Sequence, residues 1–148
     1  MSGVVEQIAI TRDRTALPAP VPSVRAEAGR GLEGEYHWSD APEAGQSLTL
    51  IAAEALEGLR EDTGIEVSPA EVRRQVLTRG IRLNDLVGVR FTVGEVECVG
   101  QELCEPCAHL QGLTQPGVLR GLVHRGGLRA DIVSGGRIAV GDAVAPLR

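Results

Sequence analysis

Apolar and polar positions change period several times along this chain, and each change marks a different element. Residues 3 to 10, Gly-Val-Val-Glu-Gln-Ile-Ala-Ile, have the composition of a strand. Between Thr11 and Val24, Pro18, Pro20 and Pro22 exclude a helix and confine any strand to an edge or loop. Gly29, Gly31 and Gly34 then space out Glu33, Glu35, Tyr36, His37 and Trp38, the pattern of a shaped loop that sets an imidazole beside a carboxylate.

From Ser47 the apolar residues Leu48, Ile51, Ala52, Ala55, Leu56 and Leu59 recur at three- and four-residue intervals, which predicts an amphipathic helix stopped by Gly64. Ser68-Pro69-Ala70-Glu71 has the form of a capping box with proline at the first helical position, and predicts a short helix from Pro69 to about Val76. The period shortens to two at Val87, Val89, Phe91 and Val93 and continues in Val96 and Cys98 beyond Gly94-Glu95, a β-hairpin. Val118, Leu119, Leu122 and Val123 suggest a third helical piece, closed by Gly126-Gly127. Leu128 to Val133 and Arg137 to Val140 flank Gly135-Gly136 as a second hairpin, and Gly141-Asp142 turns into a last strand. Without regular βαβ alternation a doubly wound sheet is excluded. The expected class is α+β, mainly β with a few helices, in a single domain over 1–148 built as an antiparallel barrel-like sheet.

Composition narrows the function. An aromatic content of 2% and a net charge of −5 argue against a single-stranded nucleic-acid platform or a phosphate-backbone binder. All fifteen basic residues are arginine. Without lysine the chain has neither a P-loop nor a pyridoxal-phosphate Schiff base. No segment approaches the roughly 20 apolar residues of a membrane span, and the N-terminus has no basic signal-peptide region. The expectation is a cytoplasmic protein with neither nucleic acid nor membrane as partner.

Cys98, Cys104 and Cys107 lie within ten positions, too few and too uneven for a secreted disulfide framework. Three chemistries compete for them. A structural zinc site or dithiol interaction module would draw on Cys104, Cys107, Cys98 and His109, but a second Cys-x-x-Cys or His pair is missing. A thioredoxin-like redox pair would need a βαβ context, whereas this motif follows a hairpin. A single thiolate, with Pro106 fixing the backbone before Cys107, suits a high-valent metal or a persulfide. Against all three stands the common fate of a free cysteine, burial as core filler. Arg73, Arg74, Arg79 and Arg82 surround the capped helix, and Arg120, Arg125 and Arg129 the later one. Convergence of the two groups would make a bidentate phosphate site; otherwise they are solvated helix surface with local pairs such as Glu71 with Arg74. His37 is either a general acid or base or a loop histidine packed on its aromatic neighbours, and His124 reads as a charge at a helix C-terminus.

Taken together in sequence order, these pieces resemble the MOSC domains, named after the C-terminal domain of molybdenum cofactor sulfurase. Gly31-Leu32-Glu33-Gly34-Glu35-Tyr36-His37 resembles the family's Gly-x-x-Gly-Asp-x-His, with Glu35 in the Asp position. Leu48 to Leu56 is similar to its helix, and Arg73-Arg74-Gln75 to its Arg-Arg-Asn segment, with Gln75 in the Asn position. Leu86 to Gly94 and Gly135 to Asp142 resemble its two strand-turn signatures, and Pro106-Cys107 falls where the family places its functional cysteine. The resemblance implies a MOSC-type barrel that binds molybdenum cofactor, a pterin dithiolene bearing a phosphate. It implies cofactor contacts at Arg73, Arg74, Gln75, Glu35, His37, Arg120, Arg125 and Arg129, and a Cys107 thiolate, or less favourably Cys104, as molybdenum ligand or sulfur carrier. Reduction of N-hydroxylated compounds with a flavin or iron–sulfur electron donor is one implied role. Transfer of sulfur or cofactor between donor and acceptor proteins is the other.

Overall fold

The computed structural model describes residues 2–104, 117 and 121–147. The chain begins with β1 (Gly3–Ile10), β2 (Ala19–Val21), β3 (Ser23–Glu27) and β4 (Gly31–Leu32). It continues with β5 (Leu48–Ala52), α1 (Ala53–Thr63), α2 (Pro69–Val72), β6 (Val76–Arg79) and a 3₁₀ turn over Leu83–Leu86. The last elements are β7 (Arg90–Val93), β8 (Val96–Leu103), β9 (Leu128–Ser134), β10 (Gly136–Ala139) and β11 (Ala143–Pro146). Seven strands close a barrel in the order β11-β7-β8-β9-β5-β6-β1, with β1 returning to β11 through Gly3↔Val144 and Val4↔Ala143. The proline-rich β2 adds to β1 as an edge, and β10, β3 and β4 form a small separate sheet.

The barrel pairs are antiparallel with one exception. β5 and β6 run parallel because α1 and α2 carry the chain back between them, the crossover that a parallel pair requires. Strand alternation fills the interior: Leu48, Leu50, Phe91, Val93, Cys98, Leu128, Ala130 and Val144 belong to one buried cluster. Ile51 and Leu77, on the opposite face of β5 and β6, pack in a second cluster with Ala55 and Leu59 of α1, Val72 and Leu122. Among the described residues no helix is long and apolar enough to cross a membrane.

The hairpin expected around Gly94-Glu95 forms as β7–β8, with Val93 opposite Val96. Three expectations are corrected. The helix expected from Ser47 starts only at Ala53, and Leu48–Ala52 is a strand. Leu50 faces the barrel while Ile51 lies under α1, so this strand is apolar on both sides and its spacing imitates a helix. The short helix ends at Val72, not near Val76, because Arg73 turns left-handed at φ 59° and the chain enters β6. The strands on either side of Gly135-Gly136 do not pair with each other: β9 pairs with β8 and β5, and β10 crosses to β3. The two glycines serve that passage between sheets. A Cβ on Gly135 would stand 2.6 Å from the Ala26 carbonyl oxygen, and one on Gly136 2.9 Å from the Glu95 Cβ. The helical piece expected from Val118 lies mostly outside the described residues.

Phe91 is wholly buried in the barrel core. Phe91→Ala is expected to lower stability by about 3–5 kcal/mol, the usual cost of removing a buried aromatic ring. Urea unfolding of both proteins, compared at equal m-value, measures it.

Candidate functional site

At one end of the barrel a buried carboxylate draws three segments together. β1 ends at Ile10, and the next residue, Thr11, donates its backbone N–H to Glu35 Oε2 at 3.0 Å. Glu35 sits on the turn after β4 and its neighbour returns the contact, Tyr36 N–H donating to the Thr11 carbonyl at 2.9 Å. His37 Nδ1 lies 2.5 Å from Glu35 Oε1. Gln75 enters from the loop before β6, pinned by Thr49 of β5: Gln75 Oε1 accepts from Thr49 N–H at 3.0 Å, and Gln75 N–H donates to Thr49 Oγ1 at 3.1 Å. The Gln75 side chain is close enough to Glu35 to favour its charged form. Yet Nε2, buried in a residue only 3% exposed, completes no hydrogen bond of good geometry.

Burial alone would push the Glu35 pKa up. The contacts from His37, Thr11 N–H and Gln75 outweigh it and hold the carboxyl below its ordinary value of 4.5. An ionised Glu35 accepts, so the hydrogen between it and His37 belongs to Nδ1.

Beside this cluster a polar cleft of about 380 Å³ is lined by Arg14, Tyr36, His37, Gln46, Glu102 and Arg129, with Glu43 and Ala44 completing it. The Tyr36 and His37 rings lie 4.0 Å apart, and the guanidinium groups of Arg14 and Arg73 stand 5.7 and 5.6 Å from the Tyr36 ring centre. Gln46 Nε2 donates to the His37 carbonyl at 3.0 Å. Arg129 reaches towards Glu102 at 3.9 Å.

Five of the residues singled out from the sequence therefore gather at this end: Glu35, His37, Arg73, Gln75 and Arg129. Others do not. Arg74 is buried and donates to the carbonyls of Gly126, Val72 and Cys104, bracing the chain there. Its expected partner Glu71 caps the helix instead, accepting from Ser68 N–H. Arg125 bonds the Gly121 carbonyl and Asp62, and with Arg82 it lines a different cavity of about 480 Å³ whose wall is mainly apolar. Cys104 is buried at the end of β8, its N–H on the Gly127 carbonyl. Cys98 is buried in the barrel core, where burial first and the charges of Glu97 and Asp131 next push its thiol up to about 12. Cys107, His109 and Arg120 lie outside the described residues. Sequence reasoning missed Arg14, Gln46, Thr11 and Thr49. Only Thr49, a polar residue between Leu48 and Leu50, left a signal, as one break in an apolar run.

The arrangement is a donor-rich, cation-bearing cleft against a fixed carboxylate. The family model of the MOSC domain matches residues 33–145, which include Glu35 and the cleft residues Tyr36, His37, Gln46, Glu102 and Arg129, while Arg14 and β1 precede the match. The chain belongs to the MOSC family. Among solved structures this MOSC domain is similar to the YUAD protein from Bacillus subtilis, at 15% identity and a TM-score of 0.83, covering 97% of this chain and 94% of that one. It is also similar to YiiM from Geobacillus stearothermophilus, at 14% identity and a TM-score of 0.77, covering 99% of this chain and 75% of that one. YiiM from Escherichia coli follows at 14% identity and a TM-score of 0.70, with 98% and 70% covered. At such identities these neighbours share the fold. Comparison with curated proteins finds no match.

Because the folded-state pKa of Glu35 is depressed, its ionisation contributes stability that is fully present above the ordinary value of 4.5. That contribution is lost as pH falls through the lower folded-state value. Glu35→Gln is expected to melt below wild type at neutral pH, and the two melting temperatures should converge as the pH is taken through the acid range. A gap that widens on acidification would show a carboxyl governed by burial instead.

Proposed function

We propose that this MOSC domain binds molybdenum cofactor at the cleft beside Glu35, with a cysteine thiolate as molybdenum ligand or persulfide carrier. The observation that carries the reading is a polar cleft bearing Arg14, Arg129 and His37 beside the ionised Glu35, with the Gln75 amide against that carboxylate. A pterin is rich in ring nitrogens and carbonyl acceptors and carries a phosphate. The residues present fit it: amide and imidazole groups for the heterocycle, guanidinium groups for the phosphate. Glu35 holds His37 in one tautomer, which leaves Nε2 as the ring nitrogen for a ligand. Arg74 and Arg125, committed to backbone carbonyls and Asp62, serve the frame in this reading.

When bound, the cofactor supplies a metal able to change oxidation state and remove an oxygen atom from substrate. Cys107 is the favoured thiolate and Cys104 its alternative. As a reductase the domain acts on N-hydroxylated compounds and takes electrons from a flavin or iron–sulfur partner. As a carrier it passes sulfur or cofactor onward. Either role suits the cytoplasm, where thiols stay reduced. The rival reading, a structural zinc or dithiol module, has to do without Cys98, which is packed among Phe91, Leu128 and the rest of the barrel core.

Elemental analysis of wild type and Cys107→Ala, purified anaerobically from a host that makes the cofactor, is the test. Near-stoichiometric molybdenum in wild type and its loss in the variant is the expected result. Zinc in its place, with unfolding on chelation, overturns the proposal. Activity then separates the roles. A reductase turns over an amidoxime with an artificial donor and stops doing so in Cys107→Ala, whereas a carrier shows no turnover and is labelled at Cys107 by persulfide-selective reagents.

A further inference from the structure

Past the end of β6 that lies away from Gln75, a second cavity of about 480 Å³ opens between the start of α1, the turn over 80–84 and the chain entering β9. Its volume falls in the range of about 300–1,000 Å³ that small-molecule sites occupy. Ala52, Ala55, Gly80 and Gly127 leave the room, and Ile81 and Leu83 of the barrel core supply apolar wall. Asn84 Nδ2 donates to the His124 carbonyl at 2.8 Å, which ties the 3₁₀ turn to the chain ahead of β9. His124 takes a left-handed backbone conformation there, φ 62°, a state unfavourable for a non-glycine residue that persists only where surrounding contacts hold it. The two sides of the cavity are thus fixed to one another.

The charged side chains on this wall are unequally committed. Arg125 pairs with Asp62 at 2.7 Å and donates through Nε to the Gly121 carbonyl. Arg82 pairs with Asp85 at 3.7 Å. Glu54 stands in the first turn of α1, where the helix dipole favours a negative charge, and its Oε2 accepts from Gly80 N–H at 2.8 Å. That contact orients the carboxylate without neutralising it. Among the described residues Glu54 has no cationic partner, although both guanidinium groups beside it have an aspartate. An anion entering this cavity meets Glu54, and an uncharged molecule displaces water from the carboxylate without replacing its hydrogen bonds. A cation with an apolar body answers both the charge and the wall.

We propose that this cavity is a second binding site, for a small primary amine carrying an apolar group. The ammonium pairs with Glu54 through charge-assisted hydrogen bonds, and the apolar group lies against Ala55, Ile81 and Leu83. Arg82 and Arg125 disfavour a second cationic centre, which limits the class to monoamines. The site is separate from the polar cleft and needs nothing bound there.

Benzylamine is the probe, titrated into the full chain at about pH 8, where an ordinary imidazole adds no charge, and followed on the backbone amides by NMR. Saturable shifts are expected at Ala52, Ala55 and Leu83, with affinity falling as salt rises. Benzyl alcohol, of the same shape without the charge, should bind about tenfold more weakly or worse, and benzoate should leave these residues unmoved. Glu54→Gln keeps an acceptor for Gly80 N–H but removes the charge, so its preference for the amine over the alcohol should vanish. Glu61→Gln, the same charge change at an exposed position of α1 outside the cavity, should behave as wild type does. No saturable binding by wild type, equal binding of amine and alcohol, or shifts at the same residues with benzoate overturns the proposal. A preference retained in Glu54→Gln, or lost equally in Glu61→Gln, overturns it as well. The three ligands compared on wild type decide the matter even where a variant folds poorly.

Discussion

Closure of the barrel through β1 is the constraint on which the remaining structure depends. One strand of eight residues bonds to β11 at its start, to β6 along its length and to β2 at its end. The closing contact is short, Gly3 and Val4 against Val144 and Ala143, and it needs a residue without a side chain. A Cβ on Gly3 would stand 2.6 Å from the Arg79 carbonyl oxygen and 2.7 Å from Ile81 Cγ2. The turn at Gly141-Asp142 aligns β11 for this meeting, since Val5 N–H donates to the Asp142 carbonyl and Gly141 N–H to that of Val5. Without closure β1 and β11 would be open edges, and the interior cluster of Phe91, Leu50 and Leu128 would lose a wall. The far end of the same strand delivers Thr11 to Glu35, so closure and site geometry are set by one element.

Glu35 shows how a buried charge becomes useful. Where the family pattern places aspartate this chain has the longer glutamate, and its oxygens are met by a backbone N–H and an imidazole, with the Gln75 amide alongside. These contacts offset a desolvation penalty that would otherwise neutralise the group. Thr49 holds Gln75 at two points, its N–H donating to the side-chain Oε1 and its Oγ1 accepting from the Gln75 backbone N–H, which keeps the amide beside Glu35.

Much of this was legible in the amino-acid sequence, for identifiable reasons. The β7–β8 hairpin and the capping box are local, and their signals survive any tertiary arrangement. The Glu35-Tyr36-His37 loop was visible because its glycines and aromatics stand out in a chain with one residue each of Phe, Tyr and Trp. Apart from the early end of the short helix at Arg73, the failures are non-local. β5 imitated a helix because a strand covered on both faces loses its alternation, and the supposed hairpin at Gly135-Gly136 failed because its strands belong to different sheets. Arg14 carries no mark at all in the sequence. Its backbone carbonyl is held by Arg73, 59 positions away.

Pairing, not number, decides which arginines of such a chain can act on a ligand. In an acidic protein whose basic residues are all arginine, proximity of two guanidinium groups is common and says little. The larger cavity brings Arg82 and Arg125 together, but Asp85, Asp62 and Glu54 stand with them, and Glu54 is itself bonded to Gly80 N–H. Its mainly apolar wall offers an anion few donors. The smaller cleft is polar and is lined by Arg14, which has no ion-pair partner among the described residues, and by Arg129, 3.9 Å from Glu102, with Glu43 also on its wall; Arg73, outside the lining, is hydrogen-bonded to carbonyl oxygens. Carbonyl oxygens orient a guanidinium without cancelling its charge, so Arg73 holds the Arg14 and Ala16 carbonyls while still adding to the positive potential over Tyr36. Of the two cavities, it is the polar cleft, beside the carboxylate that closes the end of β1, that holds a guanidinium with no ion-pair partner among the described residues, that of Arg14.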